Sequence, residues 1–194
     1  MRLEQVSPND HWVNVPGWSG WRMRFEFSLQ VRTNDNAHFL EIGAWKGQTA
    51  CLMAQLIKES NKNIKLDVID TWLGSQEDEH LNDIDLKNNR LYEVFLEYTK
   101  PFKDYINPIR STSVDASFLY QDNSIDFIFL DASHTTEDVS NDLKAWLPKL
   151  KYGGVIAGDD LDFSSVKLAL DNSEISDLYE EEDSKYGPYW RYEK

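Results

Sequence analysis

Along this chain, short apolar runs alternate with stripes of helical period. Ala37 to Ile42 reads as a buried strand, followed by a helix from about Gln48 to Glu59 whose Ala50, Met53, Ala54 and Ile57 share one face. Ile64 to Ile69 is a second strand, ending at Asp70. After a polar loop, Leu91, Val94, Phe95 and Tyr98 mark another amphipathic helix, stopped by Pro101. Ile106 to Arg110 forms a third strand, with Pro108 pointing to a sheet edge. Ile125 to Leu130 is almost uninterruptedly apolar, as expected of a parallel strand covered on both faces. Val139, Leu143, Trp146, Leu147 and Leu150 then trace a helical stripe, which Thr135 and Asp138 cap. Gly153-Gly154 ends that crossover, Val155 to Ala157 is a fifth strand, and Ser164 to Leu170 is a helix. Leu178-Tyr179 and Tyr189-Trp190 flank a Lys185–Pro188 turn, the pattern of an antiparallel hairpin. Strand and helix in alternation predict a doubly wound, mostly parallel α/β sheet that closes on this hairpin.

Composition narrows this picture without changing it. The 194 residues suit one domain with a substantial core, and 41% apolar and 13% aromatic residues are those of a folded chain. No apolar run is long enough to span a membrane, and no secretory signal is visible. The single cysteine, Cys51, excludes an internal disulfide framework, so the expected compartment is the cytoplasm. A net charge of −14 repels phosphate backbones and makes nucleic acid an unsuitable partner. The acidic stretches Glu180–Asp183 and Glu77–Asp85 read as solvated surface.

The most informative segment is His38-Phe-Leu-Glu-Ile-Gly-Ala-Trp-Lys-Gly-Gln-Thr49. Gly43 and Gly47 bracket a tight turn from strand into helix, where the backbone approaches a ligand and the helix end offers free N–H groups. A dinucleotide site wants G-x-G-x-x-G, but Glu41 puts a carboxylate where the first glycine belongs. That suits a ligand with a cationic end, such as the ammonium and sulfonium of S-adenosylmethionine. Asp70, 23 residues after Gly47, is placed to accept both hydrogen bonds of a ribose diol. The alternative is an ordinary tight turn between strand and helix.

The run E-I-G-A-W-K-G-Q-T resembles motif I of class I S-adenosylmethionine-dependent methyltransferases. It is particularly similar to small O-methyltransferases of the catechol and macrocin types, from about Phe39 through Asp160. The resemblance implies a Rossmann-like sheet of strand order 3-2-1-4-5-7-6. It also implies that Glu41, Gly43, Ala44, Trp45 and Gly47 shape the methionine end of the pocket, with Thr49 at its carboxylate. Asp70 would hold the ribose, Thr71 and Trp72 would lie near the adenosine, and Ser113 would sit beside the adenine.

Asp131 ends the fourth strand, and Asp159-Asp160 follow the fifth. Ligands of doubly wound sheets bind outside the carboxyl ends of the strands. Three carboxylates converging there need a cation, and oxygen donors suit Mg²⁺, Ca²⁺ or Mn²⁺. Catechol-type enzymes share the spacing of 28 residues but carry Asp-Asn at the later pair, where this chain has Asp159-Asp160. Alternatively, Asp131 serves the cofactor alone and the aspartate pair caps the next helix. His134, three residues after Asp131, is a suitable general base for an attacking hydroxyl. Catechol-type enzymes have a lysine there; the D-x-x-H of this chain resembles another group. His134 is otherwise a loop residue or a metal ligand, while His11, His38 and His80 have no comparable context.

Trp12, Trp18 and Trp21 crowd the stretch before the first strand, making residues 1–36 a cap or lid. Together these features predict methyl transfer to a hydroxyl of a small molecule such as a sugar or polyol, and leave a homo-oligomer open. The competing classes are a nicotinamide-dependent oxidoreductase and a catalytically silent S-adenosylmethionine-binding domain. No Asn/Asp-Pro-Pro-Tyr/Phe motif for amino methylation of nucleic acid is present, since Asn107-Pro108 continues as Ile-Arg.

Overall fold

Alternating side chains of the central strands feed two separate cores, one on each face of the sheet. In the first strand, β1 (Ala37–Ile42), Phe39 enters one core while Leu40 and Ile42 enter the other. In β4 (Ile125–Leu130), Phe127 and Phe129 face the first, and Ile128 and Leu130 the second. A strand buried on both faces has no polar side, which is why β4 reads as a continuous apolar run. This computed structural model describes residues 7, 10–18, 21–75, 78–181 and 188–194, with the backbone alone at 21, 22, 78, 79 and 181. Ser19, Gly20, the Trp21 ring, Glu77, Asp183 and the hairpin residues from Lys185 to Gly187 lie outside the described residues.

The remaining strands are β2 (Ile64–Asp70), β3 (Ile106–Arg110), β5 (Leu150–Gly158), β6 (Tyr179–Glu181) and β7 (Tyr189–Glu193). They form one seven-stranded sheet in the order β3-β2-β1-β4-β5-β7-β6, as expected. The first five strands run parallel, and β7 is antiparallel to both β5 and β6. Pro108 does lie in the edge strand β3. Strand β5 is longer than Val155 to Ala157: it starts at Leu150 and carries Gly153-Gly154 inside it, with a register shift opposite Ile125 and Phe127.

Helices α1 (Trp21–Thr33), α2 (Gln48–Ser60) and α5 (Leu91–Thr99) cover the first face. Met23, Phe27 and Val31 put one stripe of α1 into that core, and the Phe27 ring meets Phe129 at 5.1 Å between centroids. The short α6 (Ser113–Ser117), with α7 (Thr136–Trp146) and α8 (Ser164–Asp171), covers the second face. Thr135 caps α7 as expected, its hydroxyl accepting from the Asp138 amide at 3.1 Å. Between β2 and α5 lie two further short helices, α3 (Asp78–Asn82) and α4 (Ile84–Lys87). Among the described residues, no helix is long and apolar enough to cross a membrane.

Candidate active site

The turn leaving β1 has no room for a side chain at Gly43. Its φ is +87°, and a Cβ there would lie 1.9 Å from the Asp131 carbonyl oxygen, because the chain leaving β4 passes directly over it. The Gly43 amide donates to the Ile69 carbonyl and the Asp131 amide to that of Ile42, so the three strand ends are tied together. Gly47, at φ +89°, starts α2, where a Cβ would strike Phe95 and Thr99 at 2.9 Å.

Asp70 closes this turn from the neighbouring strand. Its Oδ2 accepts from the Ala44 amide at 2.8 Å and the Trp45 amide at 3.0 Å, and Oδ1 accepts from Trp72. Two donors fill Oδ2, but Oδ1 has a lone pair left, so Asp70 positions the turn and still presents one acceptor to the cleft beside it. That cleft, of about 710 Å³, lies at the carboxyl ends of the strands. Glu41, Gly43, Ala44, Trp45 and Thr49 line it from β1 and α2, and Asp70 and Thr71 from β2. Ser113, Asp131, His134, Asp159 and Asp160 line its other walls.

Two expected residues are not among those lining the cleft. Gly47 lies behind the turn, and Trp72 turns into the helical layer. The Trp72 indole is 2% exposed, packs on Tyr92 and Phe95, and donates from Nε1 to the Trp45 carbonyl. Its φ of +52° is the reason: a left-handed residue at the strand end directs the side chain away from the ligand side.

Glu41 is fully buried, and neither carboxylate oxygen has a hydrogen-bond partner among the described residues. Burial, and then the charges of Asp131 and Asp70, push its pKa well above the usual carboxylate range. An unmatched buried carboxyl at the cleft floor is what a cationic ligand group would satisfy.

Across the cleft, Asp131, His134 and Asp160 each present a ligand atom within 4.8 Å of the others. His134 Nε2 lies 2.8 Å from Asp160 Oδ2 and 3.9 Å from Asp131 Oδ1, and Phe163 stacks on the imidazole at 4.8 Å. Asp159 is not in that converging set, but its Oδ1 is buried without a hydrogen-bond partner among the described residues. Burial and the adjacent charges of Asp131 and Asp160 push Asp159 up. Burial works the same way on Asp160, but the hydrogen bond and charge of His134, together with hydrogen bonds from Asp159 and Asp131, outweigh it and hold this carboxyl low. The aspartate pair does not cap α8: Phe163 occupies that cap, with no side-chain bond.

Some neighbours of the site were missed by the sequence reading. Asp83 and Asp85, read as solvated surface, clasp the buried Lys46 ammonium at 2.6 and 2.7 Å. His80 stacks on Trp45, and Trp18 packs against both rings. Trp12, by contrast, is 8% exposed and belongs to the core. The available signal was Lys46 itself, a long cation enclosed between two glycines of a tight turn.

Residues 40–161 match the family model described as "Methyltransferase domain". A curated relative, the uncharacterized protein y4gI of Sinorhizobium fredii, is 24% identical over 155 residues. The match spans 75% of this chain but only 16% of that much longer protein. Among solved structures, cofactor-bound Rv0187 from MTB superposes with a TM-score of 0.67 at 14% identity, covering 92% of this chain and 82% of that one. The O-methyltransferase NovP gives 0.60 at 17% identity, covering 90% and 81%.

Proposed function

The chain belongs to this methyltransferase-domain family and has the class I methyltransferase fold, and on that premise we propose that it moves a methyl group from S-adenosylmethionine to a hydroxyl of a small molecule, such as a sugar or polyol. The observation that carries the donor half is Glu41, whose buried and unmatched carboxyl suits the ligand's cationic methionine end. Gly43, Ala44, Trp45, Gly47 and Thr49 shape that end of the pocket, and Asp70 and Thr71 hold the ribose side. Bound there, the sulfonium supplies an electrophilic methyl group.

The acceptor half rests on the opposite wall. Displacement at the methyl carbon needs an oxygen nucleophile that sheds its proton as it attacks. That proton passes to the His134 imidazole, and Asp160 stabilises the resulting imidazolium, its Oδ2 being 2.8 Å from Nε2. Asp131, Asp159 and Asp160 fit a divalent cation (Mg²⁺, Ca²⁺ or Mn²⁺), because their oxygens are hard donors and Asp159 Oδ1 has no hydrogen-bond partner among the described residues. Such a cation would supply Lewis acidity, lowering the pKa of the attacking hydroxyl. The convergence of His134 Nε2 with Asp131 and Asp160 supports a second reading, in which His134 is a ligand instead of the base. Seven carboxylates and no lysine or arginine are found among the described residues lining the cleft, which disfavours phosphate-bearing acceptors and nucleic acid. The stretch before β1 is read as a cap on this single domain; of its described residues, Pro16, Gly17 and Trp18 line the cleft.

Calorimetry with S-adenosylmethionine and S-adenosylhomocysteine, with and without Mn²⁺, tests the reading. Absence of binding at high micromolar cofactor overturns it. His134→Gln separates the two roles of the histidine: the base keeps Mn²⁺ affinity unchanged, whereas loss of a ligand weakens it.

A further inference from the structure

Asp142 is a buried carboxyl that the chemistry above leaves unused. It lies on α7 and is 5% exposed, yet it borders the cleft. Its hydrogen-bond partner is Ser113, at the start of α6. The direction of that bond is fixed from behind. Trp146 Nε1, which can only donate, gives its proton to Ser113 Oγ at 2.9 Å. With that lone pair filled, Ser113 turns its own proton to Asp142. The serine proposed to sit beside the adenine is thus tied to both neighbours, its proton used and one lone pair left, and the charged acceptor that borders the cleft beside it is the Asp142 carboxylate.

The topology says which part of a nucleoside arrives there. Asp70 ends β2, and β3 is the adjacent strand, followed directly by Ser111, Thr112 and Ser113. A ribose at Asp70 therefore directs its base along the cleft wall formed by residues 111–114, toward Ser113 and Asp142. An ionised carboxylate accepts hydrogen bonds and donates none. It matches an exocyclic amine and repels a carbonyl oxygen in the same place.

We propose that Asp142 reads the 6-amino group of the cofactor's adenine, with Ser113 and Trp146 as positioning residues that aim its carboxylate. This rests on the S-adenosylmethionine reading and adds a specificity determinant to it. Burial keeps the carboxyl short of donors, which increases the penalty for a ligand that offers none. A site built to pair one polar group rejects analogues that lack it far more strongly than an apolar pocket rejects a methylene.

The test compares S-adenosylhomocysteine with S-inosylhomocysteine, whose base carries a 6-oxo group, by calorimetry on the full chain. The wild type is expected to prefer the adenine compound by about thirtyfold or more. In Asp142→Asn the side chain can donate as well as accept, and that preference falls at least about tenfold. Ser113→Ala weakens both ligands while keeping the preference for the amine. A wild type that binds both compounds equally overturns the proposal without any variant. So does an Asp142→Asn protein that loses affinity for both by the same factor, the behaviour of a mere buttress between α6 and α7. If the wild type binds neither compound, the donor reading itself falls, and this one with it.

Discussion

Lys46 Nζ lies 2.6 Å from Asp83 Oδ2, and neither side chain is more than 10% exposed. The pair joins the turn after β1 to the segment carrying α3 and α4, so part of the cofactor wall is held by a buried ion pair. Burial alone would lower the Lys46 pKa, but Asp83 and Asp85 more than reverse this. Lys46→Met keeps the stem and strands two carboxylates, and is expected to cost about 3 kcal/mol. Urea denaturation measures it as a lower midpoint at unchanged slope. Adding Asp83→Asn and Asp85→Asn recovers part of the loss, because Asn still caps α4 in place of Asp83.

Two glycines with nearly the same φ separate crowding from backbone strain. Gly43 and Gly153 stand at +87° and +77°, but a Cβ at Gly153 meets nothing within 4 Å. Gly153→Ala therefore carries strain alone, about 1 kcal/mol, or roughly 2–4 °C in Tm for a chain of this size. Gly43→Ala must also displace the Asp131 backbone, and is expected to lower Tm several times further and to abolish S-adenosylhomocysteine binding. Equal Tm losses for the two variants would contradict the close approach of the chains leaving β1 and β4.

Much of the fold was legible because its signals are local. Runs buried on two faces, a helical stripe in α2 and the Thr135 cap each lie within one element; their alternation gives the doubly wound class, and the strand order came from the family resemblance. Strand-end carboxylates Glu41, Asp70 and Asp131 were legible for the same reason. What could not be read depends on residues distant in sequence. Asp83 appears solvated until Lys46, 37 positions earlier, is folded against it. Trp72 follows the aspartate proposed to hold the ribose and invites a ligand role, but Tyr92 and Phe95 take its ring. Strand β5 was cut short at Gly153-Gly154 because glycines end strands on average. Here the bulge opposite Ile125 and Phe127 absorbs them.

Asp70 has two tasks that one substitution can separate. Its carboxylate holds the Ala44, Trp45 and Trp72 amides and is proposed to hold the ribose. Asp70→Asn keeps one accepting oxygen, so one side of this arrangement is lost. Affinity for S-adenosylhomocysteine is expected to fall about 10–100-fold, the effect of losing a charged hydrogen-bond acceptor. Calorimetry with the 2′-deoxyribose analogue completes the cycle. The wild type should lose more than Asp70→Asn does when the hydroxyl is removed, and equal losses would assign Asp70 to the turn alone.

The Asp142 carboxyl should leave a signature in the pH dependence of stability. Burial raises its pKa from 3.8 to about 6; the Ser113 bond opposes this and the Asp138 charge adds to it. An acid whose pKa is raised on folding binds its proton more tightly in the folded state. Between pH 4 and 6 the unfolded chain has ionised while the folded one has not, so stability falls as pH rises through that window. Above it the penalty is constant, at about 3 kcal/mol, since each pKa unit is worth about 1.4 kcal/mol. Asp142→Asn does not titrate and escapes the penalty. Measured by urea denaturation, the stability of Asp142→Asn relative to wild type should move in the variant's favour by about that amount from pH 4 to pH 7, then level off. Carboxylates common to both proteins cancel in this difference. A gap independent of pH would mean that Asp142 is not held in the low-dielectric setting from which its recognition role was inferred.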